Sequence, residues 1–506
     1  MNIKQAKQEI TNTLKAYLAK DSFGNYLIPA IRQRPVLLMG PPGIGKTQIM
    51  SQIAAETGVG LVAYTITHHT RQSAIGLPFI EQRTYQGRTV SVTEYTMSEI
   101  LASVYQLMEE TGLQEGILFL DEINCVSETL APMMLQFLQC KTFGNQRLPE
   151  GWLIVAAGNP PEYNRSVREF DVVTLDRVKR MDLKEDFSVW KEYAYRRGIH
   201  GAVLSYLEIQ KDHFYQVETT ADGLQFATAR GWEDLSELIT VYEALGLRVD
   251  REVVGQYIQL PRIAKAFANY LALYYKYQRT YQVAGILQGT WQPVTVSELR
   301  AAPFDEKLSI LGLILTRLSE SARTVRQQDA LTTALHEALL AFREALSNST
   351  PPHTILEALA QQRRESLHQD RQANRLETER RDLLQREIHC LEQYAQALCQ
   401  EAGTPEAPMD RVRSWFGEEV EKRQVLGDET GEQFDHAFRF LEETFGQSQE
   451  LVLFVTEMTA NYDTSWFVEQ FGCDAYFRHN RELLFDDTRS RICQEIAAVN
   501  AQENPL

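Results

Sequence analysis

A glycine-rich loop stands between an apolar run and a helix-forming segment near the amino end of the chain. The apolar run is Val36-Leu37-Leu38-Met39, and the helical pattern runs from Lys46 to Thr57 and ends at Gly58. The glycines let successive backbone N–H groups turn inward toward a phosphate, and the helix adds the positive end of its dipole. This pattern predicts a site for ATP, with the ammonium of Lys46 on the β and γ oxygens and the hydroxyl of Thr47 on Mg²⁺. The predicted phosphate loop consists of Gly40, Pro41, Pro42, Gly43, Ile44, Gly45, Lys46 and Thr47.

Two adjacent acids, Asp121 and Glu122, end the apolar run Ile117-Leu118-Phe119-Leu120. Continuous apolar character is typical of a strand buried on both faces of a parallel sheet, and such sheets place their chemistry at the carboxyl ends of the strands. We therefore predict that Asp121 holds Mg²⁺, and that Glu122 orients and polarises the water that attacks the γ-phosphate.

Three further polar residues follow apolar strands or flank them. Asn159 ends the run Leu153–Gly158 and is predicted to align the hydrolytic water, although an asparagine at this point is also a common turn residue. Arg177 and Arg180 flank the start of another apolar strand. Either guanidinium could stabilise charge on a phosphate in the transition state, including a phosphate bound to a neighbouring subunit.

The order of these motifs resembles the AAA+ ATPases, and within them the MoxR branch of the helix-2-insert clade, over about residues 30 to 245. In that family a Leu-Asp-Arg-Phe motif supplies an arginine to the site of the adjacent protomer, and Arg177 is the matching residue. Because Val178 replaces the family's aromatic residue, the choice between Arg177 and Arg180 stays open. Arg230 resembles the family's second sensor arginine. The alternative is that Arg230 is an ordinary surface arginine.

The resemblance also implies an architecture, a ring and a partner. It implies an α/β fold, a P-loop NTPase AAA+ core with a parallel sheet, followed by a helical lid and an all-α C-terminal extension. Homo-oligomers of the family are hexameric rings, and their members work with a protein that bears a von Willebrand factor A domain. Residues 79–93, with Gln86-Gly87 at the tip, and residues 141–149, with Gly144-Asn145 at the tip, resemble hairpins that point toward the ring axis, where they are candidates for gripping a substrate.

Pattern and composition divide the chain further. A Thr96-Met97-Ser98-Glu99 capping box predicts the start of a helix that ends at Gly112. Breaks fall at Pro351-Pro352 and between Gly403 and Pro408. The predicted segments are an N-terminal helix (1–30), an α/β ATPase core (31–185), a helical lid (186–280), a helical connector (281–350), one long charged helix (351–402) and an acidic helical domain (403–506).

Charge argues against nucleic acid as a partner. Residues 1–280 carry 29 lysines and arginines against 31 aspartates and glutamates, whereas residues 281–506 carry 22 against 37. An acidic second half repels phosphate backbones, so binding to nucleic acid is disfavoured, although a basic stripe inside a ring pore would escape this argument.

The remaining composition favours a cytoplasmic protein without a membrane segment. No apolar run approaches the roughly 18 to 20 residues that cross a bilayer, and the amino end lacks the apolar core of a signal peptide. The 6 cysteines are scattered without paired spacing, which is typical of a reducing compartment.

The motifs therefore predict a Mg²⁺-dependent ATPase. The resemblance to the MoxR branch implies that it couples ATP hydrolysis to the remodelling or maturation of a partner protein, or to the loading of a metal cofactor into it. Two alternatives remain: a nucleic-acid-stimulated ring motor of the same clade, and a nucleotide-gated scaffold whose acidic helical tail does the work.

Overall fold

The computed structural model describes residues 1–68, 76–85, 88–143, 146–163, 170–220, 223–346, 350–400 and 407–481. The chain divides into two compact units. Unit 1 contains Met1–Val189 and Leu356–Gln393, and unit 2 contains Trp190–Ile355 and Tyr394–Leu506. The predicted hairpin tips at 86–87 and 144–145, and the end of the predicted C-terminal domain beyond residue 481, lie outside the described residues.

A parallel sheet of five strands forms the centre of unit 1, in the order β2-β5-β8-β1-β9. This order places the strand that precedes the phosphate loop beside the strand that ends near Asn159. The strand that ends in Asp121 is the next one along. The strands of this sheet are β1 (Val36–Met39), β2 (Gly60–Thr65), β5 (Gly116–Asp121), β8 (Trp152–Gly158) and β9 (Lys179–Asp182).

Helices cover both faces of this sheet, which explains why its three central strands, β5, β8 and β1, are apolar without alternation. Val36 and Leu38 pack in one cluster with side chains of α1 and α2, whereas Leu37 packs in the opposite cluster with α3 and α4. The result is the three-layer α/β fold predicted for the core. The helices are α1 (Ile3–Leu18), α2 (Lys46–Thr57), α3 (Glu99–Thr111), α4 (Ala131–Cys140) and the short α5 (Val172–Leu175).

Two antiparallel hairpins extend from unit 1. In the first, β3 (Pro78–Tyr85) pairs with β4 (Arg88–Tyr95), and nearly all of its residues are exposed. In the second, β6 (Thr142–Phe143) pairs with β7 (Gln146–Arg147). The side chain of Gln146 joins the two, because its Oε1 accepts from the N–H of Ser98 at 2.9 Å and its Nε2 donates to the carbonyl of Tyr95 at 3.2 Å.

The predicted capping box before α3 is not formed. The hydroxyl of Thr96 instead accepts a hydrogen bond from the N–H of Leu77 at 2.8 Å, at the base of the first hairpin. The helix begins after Ser98, whose side chain makes no capping bond. Its end is as predicted, because Gly112 adopts the left-handed conformation with φ of 73°.

The predicted single helix over 351–402 is wrong, because the structure has α14 (Pro352–Gln372) and α15 (Thr378–Gln400) joined by a turn. This turn lies against β2, the edge strand of the sheet. The N–H of Leu61 donates to the carbonyl of Ala373 at 3.2 Å, and Nδ2 of Asn374 donates to the carbonyl of Leu61 at 3.2 Å. The turn therefore supplies hydrogen-bond partners to the N–H and the carbonyl of Leu61, which face away from the neighbouring strand β5.

Unit 2 is mostly helical and also contains a short hairpin that the sequence did not predict, β10 (Gln216–Thr220) with β11 (Gly223–Ala227). Among the described helices of the chain, none combines the length and apolar character that crossing a bilayer requires. The remaining helices are α6 (Phe187–Arg197), which enters unit 2 at Trp190, α7 (Gly201–Ile209), α8 (Ala229–Ala244), α9 (Arg251–Tyr257), α10 (Pro261–Tyr281), α11 (Val283–Leu287), α12 (Pro293–Ala301), α13 (Phe304–Ala345), α16 (Pro408–Phe445), α17 (Gln449–Ala460) and α18 (Tyr462–Phe471).

A buried lysine lies at the end of α4. Lys141 has φ of 56° and is 8% exposed. Its ammonium donates to Oε1 of the buried Gln33 at 3.3 Å. Burial disfavours the charged form and lowers the pKa of Lys141 to about 8.

We expect this lysine to make the stability of unit 1 depend on pH. In the folded state burial makes the charged amine costly, whereas in the unfolded chain the amine is charged at no such cost. This cost lowers the free energy of unfolding in full below pH 8, and it disappears as pH rises toward the ordinary lysine pKa of about 10.4. Relative to Lys141→Met, the parent should gain about 3 kcal/mol of unfolding free energy over that window. Urea titrations of both proteins at pH 7 and pH 10.5 measure the gain. A constant difference would mean that the amine titrates normally.

Candidate functional site

The phosphate loop joins the carboxyl end of β1 to the first turn of α2. Gly43 and Gly45 adopt the left-handed conformation, with φ of 75° and 93°, which a residue with a side chain rarely takes. The helix begins directly at Lys46 and ends at Gly58, as predicted. The loop therefore has the backbone shape that a phosphate-binding nest requires.

Lys46 is held at the centre of the loop. Its side chain is 8% exposed, and its ammonium donates to the carbonyl of Gly40 at 2.6 Å and to the carbonyl of Pro41 at 3.1 Å. The same nitrogen donates to Oδ1 of Asn159 at 2.7 Å. The structure thus brings together Lys46, which the sequence assigned to the β and γ oxygens, and Asn159, which it assigned to the hydrolytic water.

Thr47 and Asp121 form an oxygen pair at the same edge of the sheet. The Thr47 hydroxyl donates to Oδ2 of Asp121 at 3.1 Å. A hydroxyl and a carboxylate are hard oxygen ligands, and Mg²⁺ usually takes one or two such protein groups together with phosphate oxygens and waters. These residues therefore fit a Mg²⁺ ion bound with a nucleotide.

Glu122 directly follows β5 and has an unusual backbone conformation for its residue type, with φ of 56°. Its N–H donates to Oδ1 of Asp121 at 2.9 Å, and its Oε2 accepts from the hydroxyl of Thr67 at 2.8 Å. The sequence analysis missed Thr67. The sequence signal that could have indicated Thr67 is its position just after the carboxyl end of β2, because the acids also lie at this edge of the sheet.

Asn124 is a second residue that the sequence analysis missed. Its side chain is 1% exposed and makes two hydrogen bonds with the backbone of Asn159. The signal was an amide two residues after the acid pair, in a segment that must pass close to the neighbouring strand.

Arg177 lies at the opposite edge of the sheet from the phosphate loop of its own chain. It precedes β9, whose first residue, Lys179, pairs with Val36 at the amino end of β1, whereas the loop follows the carboxyl end of β1. Its exposed guanidinium donates to Oε1 of Gln139 near the end of α4. Arg177 therefore lies away from the phosphate loop of its own chain.

The other two candidate arginines have different surroundings. Arg180 lies within β9, and its guanidinium forms an ion pair with Asp182 at 2.8 Å. Arg180 thus differs from Arg177 in having a carboxylate of its own chain as its partner. Arg230 is exposed in the first turn of α8 in unit 2, and its role stays a prediction.

Comparison with known proteins identifies the family of the segment that carries the site. Residues 35–178 match the family described as the AAA domain of the dynein-related subfamily. No curated protein matches the chain significantly. Matching solved structures include two mutants of RuvB from Thermotoga maritima. They are 14% and 15% identical, have TM-scores of 0.30 and 0.28, and align over 51% of this chain and 69% and 70% of theirs.

Proposed function

We propose that this chain, whose residues 35–178 form an AAA domain, is a Mg²⁺-dependent ATPase of MoxR type that remodels a partner protein. One observation carries the ATPase proposal. Five polar residues come together at the carboxyl edge of one sheet, which is where open α/β folds bind their ligands. They are Lys46, Thr47, Asp121, Glu122 and Asn159.

The residues divide the work of hydrolysis between them. The phosphate loop and Lys46 bind and orient the triphosphate. Thr47 and Asp121 would hold a Mg²⁺ ion, which would supply positive charge against the phosphate oxygens. Glu122 accepts a proton from the attacking water, and Asn159 aligns that water against the γ-phosphate. The hydrogen bond from Thr67 to Glu122 restrains the carboxylate until it turns toward the water.

The position of Arg177 supports a homo-oligomer, which we propose to be a hexameric ring. The guanidinium cannot serve the site of its own chain, because the length of the sheet separates the two. In a ring it would complete the site of the adjacent subunit and sense whether ATP is present there. Hydrolysis would release this contact and thereby move the subunits.

The first hairpin supports contact with a protein client. Apolar side chains on β3 and β4 are exposed, with Ile80 at 77% and Tyr85 at 53%. An exposed apolar surface of this kind marks a binding site for other proteins. The side chain of Gln146 bonds both to Tyr95 at the end of this hairpin and to Ser98 before α3, so it connects the hairpin to the core. By family resemblance we propose that the partner carries a von Willebrand factor A domain.

Nucleotide binding is tested by Lys46→Ala. The parent should be stabilised by MgATP, by about 2.7 kcal/mol at 100 times the dissociation constant. Lys46→Ala should lose this stabilisation, because the ammonium that holds the β and γ oxygens is gone. Thermal unfolding with and without MgATP measures the effect, and Lys15→Ala on the exposed face of α1 is the control. An unchanged shift in Lys46→Ala would contradict the assignment of the loop.

Two other functions make different predictions. A nucleic-acid motor would hydrolyse ATP faster with DNA or RNA and lose that stimulation in high salt. A nucleotide-gated scaffold would bind ATP without releasing phosphate. The complete set of catalytic groups favours hydrolysis over the scaffold, and a phosphate-release assay with and without nucleic acid separates all three.

A further inference from the structure

Asn124 is a fully buried amide just beyond the end of β5. Its side chain is 1% exposed, and a carboxamide that is buried to this extent costs free energy unless its donors and acceptors are paired. It stands two residues after Glu122 and faces the backbone of Asn159. It therefore connects the segment that carries Glu122 to Asn159, and the proposed mechanism places these two residues on the attacking water.

The amide of Asn124 continues the hydrogen-bond ladder between β5 and β8. The N–H of Ile123 donates to the carbonyl of Ala157 at 2.9 Å. Beyond it, Nδ2 of Asn124 donates to the carbonyl of Asn159 at 2.7 Å, and the N–H of Asn159 donates to Oδ1 of Asn124 at 3.3 Å. A carboxamide has the same donor and acceptor as a peptide group, so it can replace one here.

The close approach also explains Gly158. A Cβ at this position would lie 2.6 Å from Oδ1 of Asn124, which no real contact allows. The side chain of Asn124 therefore lies directly against the glycine backbone. An aspartate would keep the acceptor and lose the donor, and a leucine of similar volume would lose both.

Glu122 requires an anchor of this kind. Its φ of 56° is a conformation that non-glycine residues keep only when the surrounding structure holds them in it. The bond to Asp121 fixes one side of Glu122, and the Ile123 and Asn124 bonds to β8 fix the other.

We propose that Asn124 is a positioning residue that sets the spacing between Glu122 and Asn159 during ATP hydrolysis. The proposal rests on the ATPase function. Asn124 acts through the backbone of Asn159, to which its buried side-chain amide is hydrogen-bonded.

The test is a double-mutant cycle on the full-length chain. Asn124→Leu and Asn124→Asp should lower kcat by about 10- to 100-fold, the aspartate less than the leucine, because a small misplacement of reacting groups has effects of this size. The dissociation constant for MgADP should be unchanged. Combined with Asn159→Ala, Asn124→Leu should cause a clearly smaller loss of kcat than it causes alone, because the part of its effect that passes through Asn159 is already absent.

Asn461→Leu is the matched control, because it removes an equally buried amide from unit 2. It should lower the thermal midpoint and leave kcat unchanged. Additive losses in the cycle, or an ADP affinity that falls together with the thermal midpoint, would overturn the positioning role and leave the ATPase proposal intact. A parent that binds ATP and releases no phosphate would instead overturn the proposed function itself.

Discussion

Glu122→Gln should reduce phosphate release by about 10²- to 10⁴-fold, the range over which a positioned general base contributes. Glutamine keeps the shape of the side chain and can still accept from Thr67, but it cannot take the proton of the attacking water. ATP affinity should be retained, because Lys46, Thr47 and Asp121 are untouched. The purified variant should therefore hold ATP and turn it over slowly.

Single-turnover phosphate release and the nucleotide content of the purified variant measure this effect. Glu110→Gln, on the exposed face of α3, provides a control with the same chemical change away from the site. Normal hydrolysis by Glu122→Gln would remove Glu122 from the catalytic role and direct attention to another base.

Arg177→Ala should lower hydrolysis by about 10³-fold or more, the contribution of an arginine supplied to a phosphoryl transition state from a neighbouring subunit. Mixing gives the sharper result. Where an Arg177→Ala subunit adjoins a Glu122→Gln subunit, the first supplies an intact Glu122 and the second supplies an intact Arg177. Two inactive variants should thus regain activity when they are combined, and phosphate release measured against the mixing ratio records the recovery.

Arg180→Ala is the control for this experiment. Its guanidinium is already paired with Asp182, so hydrolysis should change little. Light scattering establishes that the variants assemble together. Mixed assemblies without recovery would contradict the shared site. A larger loss in Arg180→Ala than in Arg177→Ala would instead contradict the assignment of the arginine to Arg177.

The sequence alone predicted those parts of the site whose pattern lies within one short segment. The loop from Gly40 to Thr47 carries its own glycines, its own helix and its own stop at Gly58, and the structure has this arrangement. The acids at 121 and 122 could be placed because a buried parallel strand delivers its last residues to a known edge of the sheet.

The sequence failed where a distant residue competes for a local group. The hydroxyl of Thr96 fits a capping box, but the N–H of Leu77 takes it, because the unpredicted base of the hairpin brings that donor within 2.8 Å. Thr67 and Asn124 escaped notice for a related reason. Their partners, Glu122 and Asn159, directly follow other strands, and periodicity within one segment does not reveal pairing between segments.

The turn after α14 has a consequence for how the chain is made. Ala373 and Asn374 pair with the outer edge of β2, more than 300 residues earlier in the chain. While the ribosome synthesises the intervening residues, this edge is open to strands of other nascent chains, and an open edge invites aggregation. A truncated chain that stops at Val189 would keep that vulnerability permanently, so a soluble fragment of unit 1 needs the helical pair from 356 to 393 supplied on a linker or as a separate peptide.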